Sequence, residues 1–153
     1  MALKEQVSNV YGVGLRNVGS YQVSGTPWVT GSAIAVDKSQ RHTFANVSKS
    51  FTVINTGSAE ILVHFAHDSS NAPISGDGDG NSVTFATGHD WYTNDHYISV
   101  GSNGSVTFDV KCKNVFITNK SSSAGAGGYQ IFAELTNIAT GRMYELTGSG
   151  ITS

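Results

Sequence analysis

Apolar and polar residues alternate along most of the chain, most clearly in GSVTFDVKCKNVFITN, residues 104–119. Val106, Phe108, Val110 and Cys112 interleave there with Thr107, Asp109, Lys111 and Lys113. A period of two with β-branched and aromatic enrichment predicts one strand with a single buried face, and Cys112 falls on that face as a small inert core residue. Just upstream, HYISVGSNGSVTF sets two such runs around Asn103 and Gly104, residues that accept positive φ, so a tight antiparallel hairpin is expected. The alternation recurs in SFTVINT (50–56) and AEILVHFAHD (59–68), with Thr56, Gly57 and Ser58 as the turn of a second hairpin. In GGYQIFAELTNI (127–138), Tyr129, Ile131, Ala133 and Leu135 share a face. SYQVSG, WVTGSAIAV, HTFANV and SVTFA are shorter strand candidates.

No stretch sustains a helical period. Strands separated by short Gly, Ser and Asn clusters predict an all-β fold, a single-domain antiparallel β-sandwich that is either jelly-roll-like or immunoglobulin-like. The expected organisation is an N-terminal arm and first strand over residues 1–24, then the sandwich over 25–153. KSSSAGAG (120–127) reads as a flexible connector, and about Ser69 to Asp95 as one long loop, of a length that usually carries function. The arm has few charges yet intersperses Val7, Val10, Tyr11, Val13, Leu15, Val18 and Tyr21. An apolar segment of this kind needs a surface to lie on, its own sheet edge or a neighbour's, which makes it a candidate partner-binding element.

Composition narrows the class. The 153 residues suffice for one domain with a real core, and the charged share of 13% is about half the usual value. A net charge of −2 offers no basic excess for a phosphate backbone, so nucleic acid is not an expected partner. No run reaches the roughly 18 apolar residues of a membrane span, and MALKEQVSNV lacks the apolar core of a secretory signal, so no membrane association and folding in a cytoplasm are expected. With Cys112 as the lone cysteine, stability must come from packing or association.

Candidate chemistry is sparse. In SGDGDGNSV, Asp77, Asp79 and Asn81 stand at the alternate positions of a calcium loop, but Ser82 replaces the required glycine and Gly88 the bidentate glutamate. Distant carboxylates such as Asp68 or Asp90 would have to complete a site. Asp and Gly are also the commonest turn formers, so a solvated turn is the expectation and no metal is assigned. His64 and His67 point to opposite faces of a strand and cannot jointly clasp an ion without a bulge, and His89 and His96 add no ligand motif. No nucleophile elbow, zinc-protease helix, P-loop lysine or dinucleotide fingerprint occurs, so neither enzymatic activity nor a cofactor is expected. HDWYTNDHY gathers Trp91, Tyr92 and Tyr97 beside Asp90, Asn94 and Asp95. Such rings could face a glycan, or they could pin a long loop to the core.

Four phrases, EQVSNVYGVGLRNVGSYQVSGTPWVTGS, KSFTVINTGSAEILVHF, SVTFDVKCKNVFITN and YQIFAELTNI with MYELTGSG, resemble the small virion structural proteins of marine tailed bacteriophages, cyanophages among them. The resemblance covers most of the chain outside about 67–100. It implies a non-enzymatic decoration or cement protein on the outer capsid surface, assembled in the host cytoplasm. Its partner would be the major capsid protein, and its own assembly a homo-oligomer, with a trimer favoured. A tail or baseplate component, or a host-glycan adhesin built on the three aromatics, are the alternatives.

Overall fold

The computed structural model describes residues 14–16, 18, 19, 25–65, 82–84, 90–93, 95–120 and 127–143. In chain order the strands are β1 (Thr26–Ile34), β2 (Lys38–Thr43), β3 (Asn46–Asn55), β4 (Ile61–His64), β5 (Ser82–Thr84), β6 (Ile98–Val100), β7 (Ser105–Phe108), β8 (Asn114–Asn119) and β9 (Gly127–Ala139). A single helical turn, α1 (Asp90–Thr93), precedes β6. Two sheets result, one of four strands in the order β1-β9-β3-β7 and one of five in the order β5-β2-β8-β4-β6, with every pairing antiparallel.

The order has a simple origin. β1 pairs with β9, β2 with β8, β3 with β7 and β4 with β6, so the chain behaves as one long hairpin whose middle lies between β4 and β6. Rolling that hairpin sends successive pairs alternately to the two sheets, which is jelly-roll topology and decides between the two sandwich types. β5 comes from the insertion at the hairpin's middle and extends the second sheet beside β2.

This topology corrects the local pairing expected from sequence. SFTVINT and the AEILVHFAHD run do not form a hairpin, because β3 lies in the first sheet and β4 in the second. β6 and β7 flank a real turn, with Asn103 at φ 57° and Gly104 N–H donating to Gly101 O at 2.9 Å, but they too enter different sheets. The expected long strand at 104–119 is two strands, β7 and β8, separated by a crossing at 109–113 where Val110 is exposed and Cys112 buried. HTFANV spans the junction of β2 and β3 instead of forming a strand. The tract taken as one irregular loop contains β5 and α1.

Between the sheets lies a continuous core that includes Phe44, Phe51, Val53, Ile61, Val63, Val115, Ile117, Tyr129, Ile131, Ala133 and Leu135. The predicted face of β9 is among them. Gly127 is required where β9 begins: a Cβ there would sit 2.7 Å from Ile34 Cγ2 and 2.8 Å from Asn119 Nδ2.

Candidate functional site

The two sheets present unlike outer faces. On the five-stranded sheet, alternation places Ser39, Leu62, His64, Phe116 and Thr118 outward, yet all five are buried. Tyr92 and Tyr97 from the β4–β6 insertion pack on Leu62, so this face forms a second buried layer. Its polar groups are paired within it: His64 Nε2 lies 2.9 Å from Thr118 Oγ1, which donates to Ser39 Oγ at 2.9 Å, and the His64 ring stacks on Phe116. Period two predicts a solvated face for β8, and the insertion overrides that.

Among the described residues, no segment covers the outer face of the four-stranded sheet. Val29 is 69% exposed, Phe132 42% and Ile54 36%. Register aligns them in rows across the strands: Val29, Phe132, Thr52 and Thr107 form one, Gly31, Gln130, Ile54 and Ser105 the next. Lys49 and Glu134 are the only charged residues in these four strands, and they lie 3.9 Å apart as an ion pair. A face that exposes apolar and hydroxyl side chains and almost no charge suits contact with another protein surface. Sequence reading missed it. The available signal was Phe132, an apolar residue on the polar phase of an otherwise regular strand.

The residues singled out from sequence are scattered. Of the arm, Leu15 packs against Val47, Ile138 and Met143, and Val18 is 66% exposed. Val7, Val10, Tyr11, Val13 and Tyr21 lie outside the described residues, as do Asp68, Asp77, Asp79, Asn81, His67 and His89. Trp91 and Asp90 belong to α1, their side chains outside the description. Tyr92 and Tyr97 stack on one another with centroids 5.8 Å apart, and Lys120 Nζ sits 5.8 Å from the Tyr92 centroid. The Tyr97 hydroxyl donates to Asp95 Oδ1 at 3.2 Å, and burial first, then Asp95, pushes the phenol above its ordinary value. Among the described residues no group of three or more His, Cys, Asp and Glu could hold a metal.

A polar cluster lies between the sheets. The Tyr129 hydroxyl donates to Gln40 Oε1 and stands 2.6 Å from His42 Nε2. A hydroxyl has one proton, so this geometry makes His42 Nε2–H the donor to Tyr129 and fixes the tautomer. All three side chains are buried, and the cluster locks β2 to β9. It offers no nucleophile to solvent.

Cys112 is likewise structural. Its thiol lies 3.4 Å from Ser48 Oγ, which accepts from the Cys112 N–H at 3.0 Å and donates to Val110 O at 2.8 Å, pinning the β7–β8 crossing to β3. Burial pushes the thiol from 9.0 up to about 11, against a smaller opposing effect of Ser48. A raised folded value means that stability from this group is whole below pH 9 and is lost as pH climbs through 11. Wild type is expected to lose about 2–3 kcal/mol more than Cys112→Ala across that interval, read from urea midpoints. Equal pH slopes for the two proteins would contradict it.

No protein-family model matches the chain, and no curated protein matches it. One solved structure, described as the crystal structure of PirA, is similar at 16% identity with a TM-score of 0.31, covering 72% of this chain and 93% of its own. A likeness of that size carries no argument about fold or function.

Proposed function

We propose that this chain is a non-enzymatic structural protein of a tailed-phage particle, a decoration or cement protein whose four-stranded sheet lies against the major capsid protein. The observation that carries this reading is the open, nearly charge-free face bearing Val29, Phe132 and Ile54. The resemblance of four long phrases to small marine-phage virion proteins supports it, and jelly rolls are a recurrent architecture of viral shells and of lectins.

The mechanism is mechanical. A protein that binds only the expanded lattice stabilises that state by mass action, and a few kcal/mol per copy, summed over a shell, resists the pressure of packaged DNA. The insertion between β4 and β6 then faces away from the shell, because it covers the opposite sheet.

Copy number tests the reading. Quantitative mass spectrometry of purified particles is expected to give a ratio to the major capsid protein near one. A few copies to a few dozen per particle would move the protein to the tail or a vertex. Because the docking face carries one self-satisfied ion pair, occupancy is expected to change less than about twofold between 0.1 and 1 M NaCl. A drop of more than about tenfold would place the contact on charged surface instead. Substituting Trp91, Tyr92 and Tyr97 leaves capsid binding intact under this reading, whereas loss of glycan binding on the same change would favour the adhesin.

A further inference from the structure

Sheet edges invite pairing unless something blunts them. Among the described residues four strands end a sheet: β5, β6 and β7, of three, three and four residues, and β1, of nine. Short edges are a standard protection, and so are charged side chains and proline. β1, TPWVTGSAI, has no charge, and its Pro27 removes one donor near one end. It pairs with β9 on one side and with no described strand on the other.

We propose that β1 is a self-association edge, pairing antiparallel with β1 of a second copy about a two-fold axis through Thr30, so that the four-stranded sheet continues across the dimer. A second copy is the occupant because the strand complements itself. A two-fold axis brings identical groups near one another, and an uncharged strand does so without like-charge repulsion. With Thr30 on the axis, large residues face small ones. Val29 lies opposite Gly31 of the second copy, and Trp28 opposite Ser32 of the second copy. Gly31 carries no side chain on the outer face, where β9 already fills the space beside it: a Cβ there would stand 3.2 Å from Tyr129 O and 3.3 Å from Gln130 Cγ. The 69%-exposed Val29 meets no opposing side chain across the axis. The dimer also sets two Val29–Phe132 rows side by side, doubling the open face. This inference stands apart from the decoration reading and departs from the three-fold assembly that the phage resemblance implies.

Sedimentation equilibrium of the full chain tests it. An edge pairing of nine residues is a small interface, so a monomer–dimer equilibrium in roughly the micromolar range is expected. Val29→Lys should raise the dissociation constant about tenfold or more while leaving the thermal melt unchanged, because the side chain is exposed. Mixing Val29→Lys with Val29→Glu should restore association as a heterodimer. Thr107→Lys, at the far edge of the same sheet, should not disturb the dimer. A monomer or a trimer at every concentration, or dimers indifferent to Val29→Lys, would overturn the proposal. Dissociation by Thr107→Lys as well would mean that the copies meet face to face, which also overturns it. None of these outcomes alters the copy-number ratio that tests the decoration reading.

Discussion

Replacing Phe51 with alanine is expected to cost about 3–5 kcal/mol, a large part of the roughly 5–15 kcal/mol that a domain of this size holds in reserve. Phe51 is fully buried on β3, stacked on Phe108 with centroids 4.9 Å apart and tilted against Phe44 and edge-on to Phe65 at 5.8 and 6.0 Å. These contacts join β3 to β7 and to the chain segments following β2 and β4, so one ring holds both sheets and two corners. The residue opposite it in register is Ala133, itself buried. An alanine cannot swing into the vacated volume, and the cavity term is therefore expected to persist. Urea denaturation of Phe51→Ala beside Thr52→Ala, whose side chain lies on the open face, checks the size. A difference under about 1 kcal/mol would mean that the aromatic cluster closes over the gap.

Strand positions were legible in the sequence where burial of one face is the whole story. Tyr129, Ile131, Ala133 and Leu135 alternate because one side of β9 meets the core, whereas WVTGSAIAV marks β1 only as a short β-rich run, with Val29 exposed. The partners were not legible. A period of two records which side of a residue is buried, and it reads the same whether the next strand returns beside the first or crosses to the opposite sheet. In a jelly roll the crossing is the rule, which is why the turns at Gly57 and Asn103 were visible and the hairpins inferred from them were wrong. Alternation even runs through the β7–β8 crossing, since Cys112 is buried by a corner as effectively as by a strand.

The candidate site was hidden by the same ambiguity. Ser39, His64 and Thr118 occupy the polar phase of their strands and are buried, while Phe132 and Val29 are exposed. What separates these cases is whether another segment covers the sheet. That depends on the return path of the β4–β6 insertion over Leu62, which no local pattern encodes. The arm offered apolar residues but no register. Its described part divides between Leu15, packed on its own subunit, and exposed Val18.

The other large effect is expected at Asn55. Its side chain is buried at the end of β3, where Nδ2 donates to Ala59 O at 2.7 Å and to Val100 O at 2.9 Å, while Oδ1 accepts from Gly57 N–H at 2.9 Å. Its backbone N–H donates to Gly104 O at 2.8 Å. One residue thus ties the outgoing β3–β4 crossing to the returning β6–β7 crossing. Asn55→Ala takes a donor from each of two carbonyls in a buried corner and leaves the Gly57 N–H only its longer bond to Gly128 O at 3.1 Å, and should cost about 2–4 kcal/mol. Asn55→Asp keeps the acceptor for Gly57 but turns a charge toward the carbonyls of Ala59 and Val100. The ionised form is disfavoured there, so the new carboxyl's folded pKa rises above its unfolded value near 4. Stability from the protonated form is then complete below that unfolded value and drains away as pH rises through the folded one. The melting-temperature deficit of Asn55→Asp should accordingly be small in mild acid and widen toward neutral pH, whereas that of Asn55→Ala stays flat. A deficit in the Asp variant that ignores pH would mean that water reaches this corner and that the two crossings are held by something other than Asn55.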